Sequence, residues 1–115
     1  METGMINLEQ DTIAWATDRG IIKHSTPQIQ CLKLISEIGE LADNLAKGRD
    51  IKDDIGDCLV VLTLIANMKD TNLQECYNVA YNDIKDRKGF LNSDGIFVKE
   101  DDKAYAQLAK GLDNE

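Results

Sequence analysis

The sequence predicts an all-α chain: four helices in a bundle-like arrangement, followed by a short C-terminal β-hairpin. Three observations predict it. The 115 residues contain one proline, Pro27, and only 5% aromatic residues, which disfavours a β-sandwich. From about residue 8 to residue 88, apolar residues recur every three or four positions, the period of helices that bury one face. After Gly89 the period changes, and Asp94-Gly95 separates two short apolar pieces, as in a hairpin.

A chain of this length suits one domain, taken as 1–115, with core helices over about 8–88 and the hairpin and tail over 89–115. Asn7 is placed to cap a first helix over about 8–20, with Leu8, Ile13, Ala14, Trp15 and Ala16 on its apolar side and Gly20 as terminator. His24 and Ser25 then fall in a connection. Ser25 or Thr26 can cap the second helix, with Pro27 in its first turn, where a missing N–H costs little. Its packing seam is Leu34, Ile38, Leu41 and Leu45, and the adjacent polar stripe is Lys33, Glu37, Glu40 and Asn44. Gly48 ends this helix at the position where glycine is favoured.

Asp50 is expected to cap the third helix, which continues into the apolar run at 58–66 and should be central. Asp54 and Asp57 share a face with Val61, Ile65 and Met68, so they should point inward. A fourth helix is expected over about 72–88, with Leu73, Cys76, Tyr77, Ala80 and Ile84 as its apolar line and Gly89 as its stop. Tyr105, Leu108, Ala109 and Leu112 allow a short helix in the tail.

Composition excludes several function classes. Hydrophobic residues make up 43% and charged residues 30%, a globular balance rather than a disordered one. The net charge of −8 argues against a broad basic face for nucleic acid or an anionic membrane. The apolar run at 58–66 is far too short to span a bilayer. No signal segment opens the chain, and Cys31, Cys58 and Cys76 read as reduced core residues. Together these point to a cytoplasmic protein.

The chemistry-bearing feature is a pair of acidic pairs, Glu37-x-x-Glu40 and Asp54-x-x-Asp57, each beside a buried stripe on consecutive helices. Thirteen residues, 41–53, separate them, enough for two turns of helix, a bend and one turn back. One such pair alone is ordinary surface charge. Four carboxylates converging at a helix interface repel one another and need protons, basic partners or a cation. Few cations are near in sequence: Lys33, Lys47, Arg49 and Lys52. Mg²⁺, which takes oxygen ligands and keeps water and phosphates in its shell, fits best, with Mn²⁺ as an alternative.

These pairs, with Lys33-Leu34 before the first, Gly39-Glu40-Leu41-Ala42 around it and Ile55-Gly56-Asp57 closing the second, resemble the E-x-x-E…E-x-x-D signature of the MazG-like nucleoside triphosphate pyrophosphohydrolases, the all-α NTP pyrophosphatase superfamily. The stretches 82–89 and 95–100 resemble the C-terminal part of small phage and bacterial members. Two positions depart from the pattern: Asp54 stands where the family has Glu, and Ser36 where many members have a further Glu.

The resemblance implies a MazG fold and hydrolysis of an NTP or dNTP between the α- and β-phosphates, giving a monophosphate and pyrophosphate. It implies Glu37, Glu40, Asp54 and Asp57 as metal ligands. Glu37 and Glu40 are the candidate catalytic bases, with Glu37 favoured. Lys33, Asn82, Lys85, Arg87 and Lys88 are the candidate phosphate and substrate contacts, and Trp15 could stack on a base. It also implies a homodimer or homotetramer. A catalytically weak helical module that binds a nucleotide or a partner protein is the competing expectation, kept open by Asp54 and Ser36. An acidic DNA mimic is disfavoured, because Asp54 and Asp57 lie on a buried stripe.

Overall fold

The computed structural model describes residues 4–100. Its elements are α1 (Met5–Asp18), α2 (Ile21–His24), α3 (Pro27–Ala46), α4 (Lys52–Met68), α5 (Leu73–Ile84), β1 (Gly89–Leu91) and β2 (Phe97–Lys99). The expected helical chain with a hairpin is present. The helix expected at residues 105–112 lies outside the described residues. The chain forms two compact units, one ending at Tyr77 and the other beginning at Asn78.

In the first unit, α4 packs against both α3 and α1. Its core is small: Ala16 of α1 with Val61, Leu64 and Ala66 of α4. The stripe read from the sequence of α4 is present. Asp54 and Val61 are buried, and Asp57, Ile65 and Met68 are half-buried.

Three helix boundaries of the first unit differ from the expectation. Gly4, not Asn7, is the N-cap of α1: its carbonyl accepts the Leu8 N–H at 3.0 Å, and Asn7 lies inside the helix. Gly20 takes a positive φ of 75°, so the chain turns there, but it re-enters helix at once as the single turn α2, where a plain connection was expected. Ile51, not Asp50, is the N-cap of α4. The Asp50 carboxylate still accepts the Lys52 N–H at 3.2 Å and so satisfies one orphan donor of the first turn. By contrast Thr26 caps α3 as expected: its Oγ1 accepts the Ile29 N–H at 3.1 Å, and Pro27 occupies the first turn.

The seam of α3 is corrected. Leu34 and Leu41 are half-buried, but Ile38 and Leu45 are 49% and 57% exposed. The helix is rotated so that the border between its two stripes faces α4. The inward line is Leu34, Glu37, Leu41 and Asn44, and Glu37 is the only buried residue of α3. Large apolar side chains are left outward on α3 (Leu32, Ile35, Ile38, Leu45) and on α4 (Ile55, Leu59, Leu62).

A buried carboxylate secures the entry to α5. Glu9 on α1 accepts the Leu73 N–H at 2.5 Å, satisfying an orphan donor at that helix start. Its other oxygen, Oε2, is buried with no hydrogen-bond partner among the described residues.

In the second unit, helix α5 stops at Ile84 rather than continuing to residue 88. The chain beyond is drawn into the hairpin instead. The Lys88 carbonyl accepts the Glu100 N–H at 2.8 Å, one step before the ladder that pairs Phe90 with Val98. Gly89 therefore opens β1 instead of ending the helix. A side chain at Gly89 would collide with the Val98 carbonyl oxygen. The turn is organised by Asn92, whose Oδ1 accepts the N–H groups of Asp94 and Ile96, both at 2.9 Å, while Gly95 takes a φ of 79°. Along the apolar line expected on α5, Leu73 is half-buried, whereas Cys76, Tyr77, Ala80 and Ile84 are exposed.

Candidate active site

Helices α3 and α4 run past one another with the two acidic pairs at their contact. Carboxylate oxygens of Glu37, Glu40 and Asp57 all lie within 4.8 Å of one another. Glu37 is buried, Asp57 half-buried and Glu40 exposed, so the cluster spans from the helix interface out to solvent. The i,i+3 spacing puts Glu37 and Glu40 on adjoining turns of one face, and the antiparallel return brings Asp57 to them.

Asp54 is not part of this trio. Its side chain is buried, and its Oδ2 accepts a hydrogen bond from the Asn44 amide Nδ2 at 2.9 Å. The sequence pattern counts all four acids as ligands and marks Asp54 as the one that departs from the family. The structure joins three of them and ties the fourth, Asp54, an aspartate where the family pattern has Glu, to Asn44. Sequence reasoning gave Asn44 no role, although it stood on the same stripe as Glu37 and Glu40.

The carboxylates perturb each other. The Glu40 carboxyl is raised above its ordinary pKa, first by the charge of Glu37 and then by partial desolvation, side-chain hydrogen bonding with Glu37, and the charges of Asp54 and Asp57. Asp57 is raised mainly by desolvation, then by Asp53, Glu37 and Asp54, while Lys33 opposes the rise. Burial and the same acids push the Cys58 thiol up, so this cysteine beside the cluster stays protonated and is no nucleophile.

Lys33 lies one turn before Glu37, and its Nζ is 3.2 Å from Glu37 Oε1. It also lines a hollow of about 510 Å³ walled by Trp15, Arg19, His24, Gln30 and Val61, among others. Trp15, expected in the core, is instead half-exposed on this hollow, with the Arg19 guanidinium 4.7 Å from its ring centroid. Gln30 Nε2 donates to Ser25 Oγ at 3.0 Å on the same wall. His24, read as a plain loop residue, ends α2 and faces the same hollow.

Of the other predicted contacts, Asn82 is on the last turn of α5, and Lys85, Arg87 and Lys88 lie past its end rather than on it. All four belong to the second unit. Arg87 there pairs with Asp83 at 2.5 Å.

A family model described as the MazG nucleotide pyrophosphohydrolase domain matches residues 25–88, more than half of the chain and the whole of both acidic pairs. The chain belongs to this family. In a second comparison, a MazG-like pyrophosphohydrolase of cyanophage S-2L, solved with dGDP and three catalytic Mn²⁺ ions per active site, superimposes with a TM-score of 0.66. That match covers 85% of this chain and 98% of the cyanophage one at 17% identity, and it shows the shared MazG-like fold. An uncharacterized 18.2 kDa protein in the rep-hol intergenic region of Haemophilus phage HP1 (strain HP1c1) is 48% identical over 62 residues, 52% of this chain. The match spans only 36% of the phage protein's own length. No helix among the described residues of this MazG-family chain is long and apolar enough to cross a membrane.

Proposed function

We propose that this protein hydrolyses a nucleoside triphosphate, ribo- or deoxyribo-, between its α- and β-phosphates, releasing a monophosphate and pyrophosphate with a divalent cation bound. The observation that carries the proposal is the convergence of Glu37, Glu40 and Asp57 within 4.8 Å, inside the segment that matches the family. This donor set fits a hard divalent cation. It is all carboxylate oxygen, it is open to solvent at Glu40, and its carboxyls are raised, Glu40 first by the charge of Glu37 and Asp57 first by desolvation, both of which a bound cation offsets. The Mn²⁺ and dGDP held by the cyanophage relative support the same class of ligands here. Mg²⁺ is our first assignment and Mn²⁺ the second.

The chain's own residues then divide the work. Glu37, Glu40 and Asp57 would hold the cation, with Asp54 assisting through the oxygen that Asn44 leaves over. Such a cation neutralises phosphate charge and polarises the water in reach of it. We assign proton acceptance to Glu40 rather than to Glu37. Glu40 is exposed on the solvent side of the cluster, whereas Glu37 is buried in the helix interface. The hollow beside Trp15 would take the nucleoside, with the indole free to stack on the base. Asn82, Lys85, Arg87 and Lys88 of the second unit remain candidate contacts to phosphate. The chain is taken to work as a single domain in the cytoplasm.

The outward apolar residues of α3 and α4 support self-association into a homodimer or homotetramer. Light scattering on a sizing column tests this, and a clean monomer at micromolar concentration counts against it.

Incubating the protein with a panel of NTPs and dNTPs plus Mg²⁺ or Mn²⁺, and identifying the products, tests the reaction. Pyrophosphate should appear. Glu40→Gln and Asp57→Asn should lower turnover at least about 100-fold, some 2.7 kcal/mol of barrier, without unfolding the chain. Orthophosphate as the sole phosphate product would refute the assignment of the bond. Binding without any turnover would favour the nucleotide-binding module instead, the reading that Asp54 and Ser36 kept open.

A further inference from the structure

One side chain belongs to both halves of the proposed site. Lys33 lines the hollow beside Trp15, and its ammonium sits 3.2 Å from Glu37 Oε1, a carboxylate of the acidic trio. The two ends of this ion pair differ. The Lys33 side chain is 59% exposed, whereas that of Glu37 is 10% exposed. The carboxylate is fixed in the helix interface, and the ammonium, on a flexible four-carbon stem, is not. With its ammonium end in water, the pair is screened and the lysine is free to exchange partners. The influence of Lys33 also reaches past Glu37, since it is the one group that opposes the rise of the Asp57 carboxyl. The other lysine with a defined partner in the helical hairpin, Lys47, is engaged by Asp43 at 2.7 Å.

We infer that Lys33 is a positioning residue that changes partners: it rests on Glu37 in the free protein and moves to the phosphate chain of the ligand. The acidic trio then gains its divalent cation most favourably together with the phosphates rather than ahead of them. The inference rests on the proposed function and adds an order of events to it. Before the ligand arrives, the ammonium stands beside the carboxylates and repels an incoming cation. When a polyphosphate arrives from the Trp15 side it passes the lysine, which exchanges one anionic partner for another of higher charge. Glu37 is thereby released to the cation in the same event. A merely structural ion pair would behave differently, because losing it would loosen Glu37 and weaken the cation and the phosphate alike.

The test uses the full chain and two probes that need no knowledge of the base. Mn²⁺ alone is titrated and followed by its paramagnetic resonance signal. Inorganic tripolyphosphate is titrated calorimetrically in the presence of Mn²⁺. Lys33→Met should bind Mn²⁺ alone at least about threefold tighter than the parent protein, yet bind the Mn²⁺–tripolyphosphate complex more weakly. Lys33→Arg should restore both values towards the parent. Opposite signs for the two ligands, with rescue by arginine, support the exchange. Weakening of both, no change in either, or a change in one alone overturns it. Glu40→Gln separates this inference from the reading beneath it. If the parent binds Mn²⁺, Glu40→Gln does not, and Lys33→Met matches the parent, only the exchange fails. If neither the parent nor Lys33→Met binds Mn²⁺, with tripolyphosphate or without it, the metal site falls and the exchange falls with it.

Discussion

The bond between Asn44 and Asp54 gives the sharpest handle on how the site is built. Asp54 is buried to 7% exposure, and its Oδ2 accepts from the Asn44 amide at 2.9 Å, across the contact between α3 and α4. Removing the donor in Asn44→Ala leaves a carboxylate oxygen at a helix interface without its partner. Hydrogen bonds to charged groups contribute about 1.5–3 kcal/mol, and an orphaned buried acceptor costs a similar amount. We therefore expect Asn44→Ala to destabilise the protein by about 1.5–3 kcal/mol, a large fraction of the about 5–15 kcal/mol a domain has in all. Asn44→Asp should cost more, since it sets a second carboxylate against the first.

The assay is urea denaturation followed by helical circular dichroism, with Asp54→Ala and the double variant completing a thermodynamic cycle. Removing both partners should cost clearly less than the sum of the single changes, with a coupling of about 1 kcal/mol or more. If Asn44→Ala costs under about 0.5 kcal/mol and the two changes add, Asp54 is not held by Asn44, and the division into three ligands and one tethered acid is wrong. The same division makes a kinetic statement: Asp54→Asn should retain more turnover than Asp57→Asn.

Three further outcomes follow from the same geometry. Glu40 and Asp57 have raised carboxyls, so between the ordinary carboxylate range and the raised values the folded chain binds more protons than the unfolded one. The stability of the protein in EDTA should fall as pH rises through that interval, and Glu40→Gln should flatten the fall; urea titrations over a pH series that show stability rising there would refute the assignment. Trp15→Ala should raise KM about 10-fold or more with little change in kcat, the signature of lost base stacking worth about 1–3 kcal/mol, and nucleotide should quench Trp15 fluorescence in the parent. Ile38→Asp, on the outward face of α3, should shift the protein towards monomer in light scattering while leaving its helical dichroism in place.

Much of this fold is legible because helix signals are local. Thr26-Pro27 announces the start of α3 through one side-chain oxygen and one missing N–H, and the structure uses both. The inward turn of Asp54 and Asp57 follows from their sharing a stripe with Val61, and it holds because α4 packs on two neighbours. What is not legible is how each helix is rotated. On α3 the apolar stripe and the acidic stripe are adjacent, and either border could face the partner. Only packing against α4 decides that Leu34 and Leu41 go in with Glu37 and Asn44 while Ile38 and Leu45 stay out. The role of Glu9 is hidden for a related reason. A glutamate on a first helix reads as solvated until a residue 64 positions away brings its N–H to it. The early end of α5 was equally invisible, because it is set by pairing of residue 88 with residue 100 and not by the helical sequence before it.

The rotation of α3 is also the strongest argument that the acidic trio is functional. A helix whose seam includes Ile38 and Leu45 could bury them against α4 and leave its carboxylates in water. That arrangement would gain about 1.5–3 kcal/mol for each large aliphatic side chain fully covered. This chain does the reverse, burying Glu37 and exposing Ile38 and Leu45 at the same helix contact. Stability alone gives no reason for that choice. It sets carboxylates against one another at the interface, where Glu40 and Asp57 are both pushed towards protonation. Local rules of helix packing are broken where a site requires it and compensated elsewhere. Here the two compensations match the two proposals made for the chain: a cation for the inward acids and a second copy for the outward aliphatic face. Neither would be needed if α3 were turned the other way.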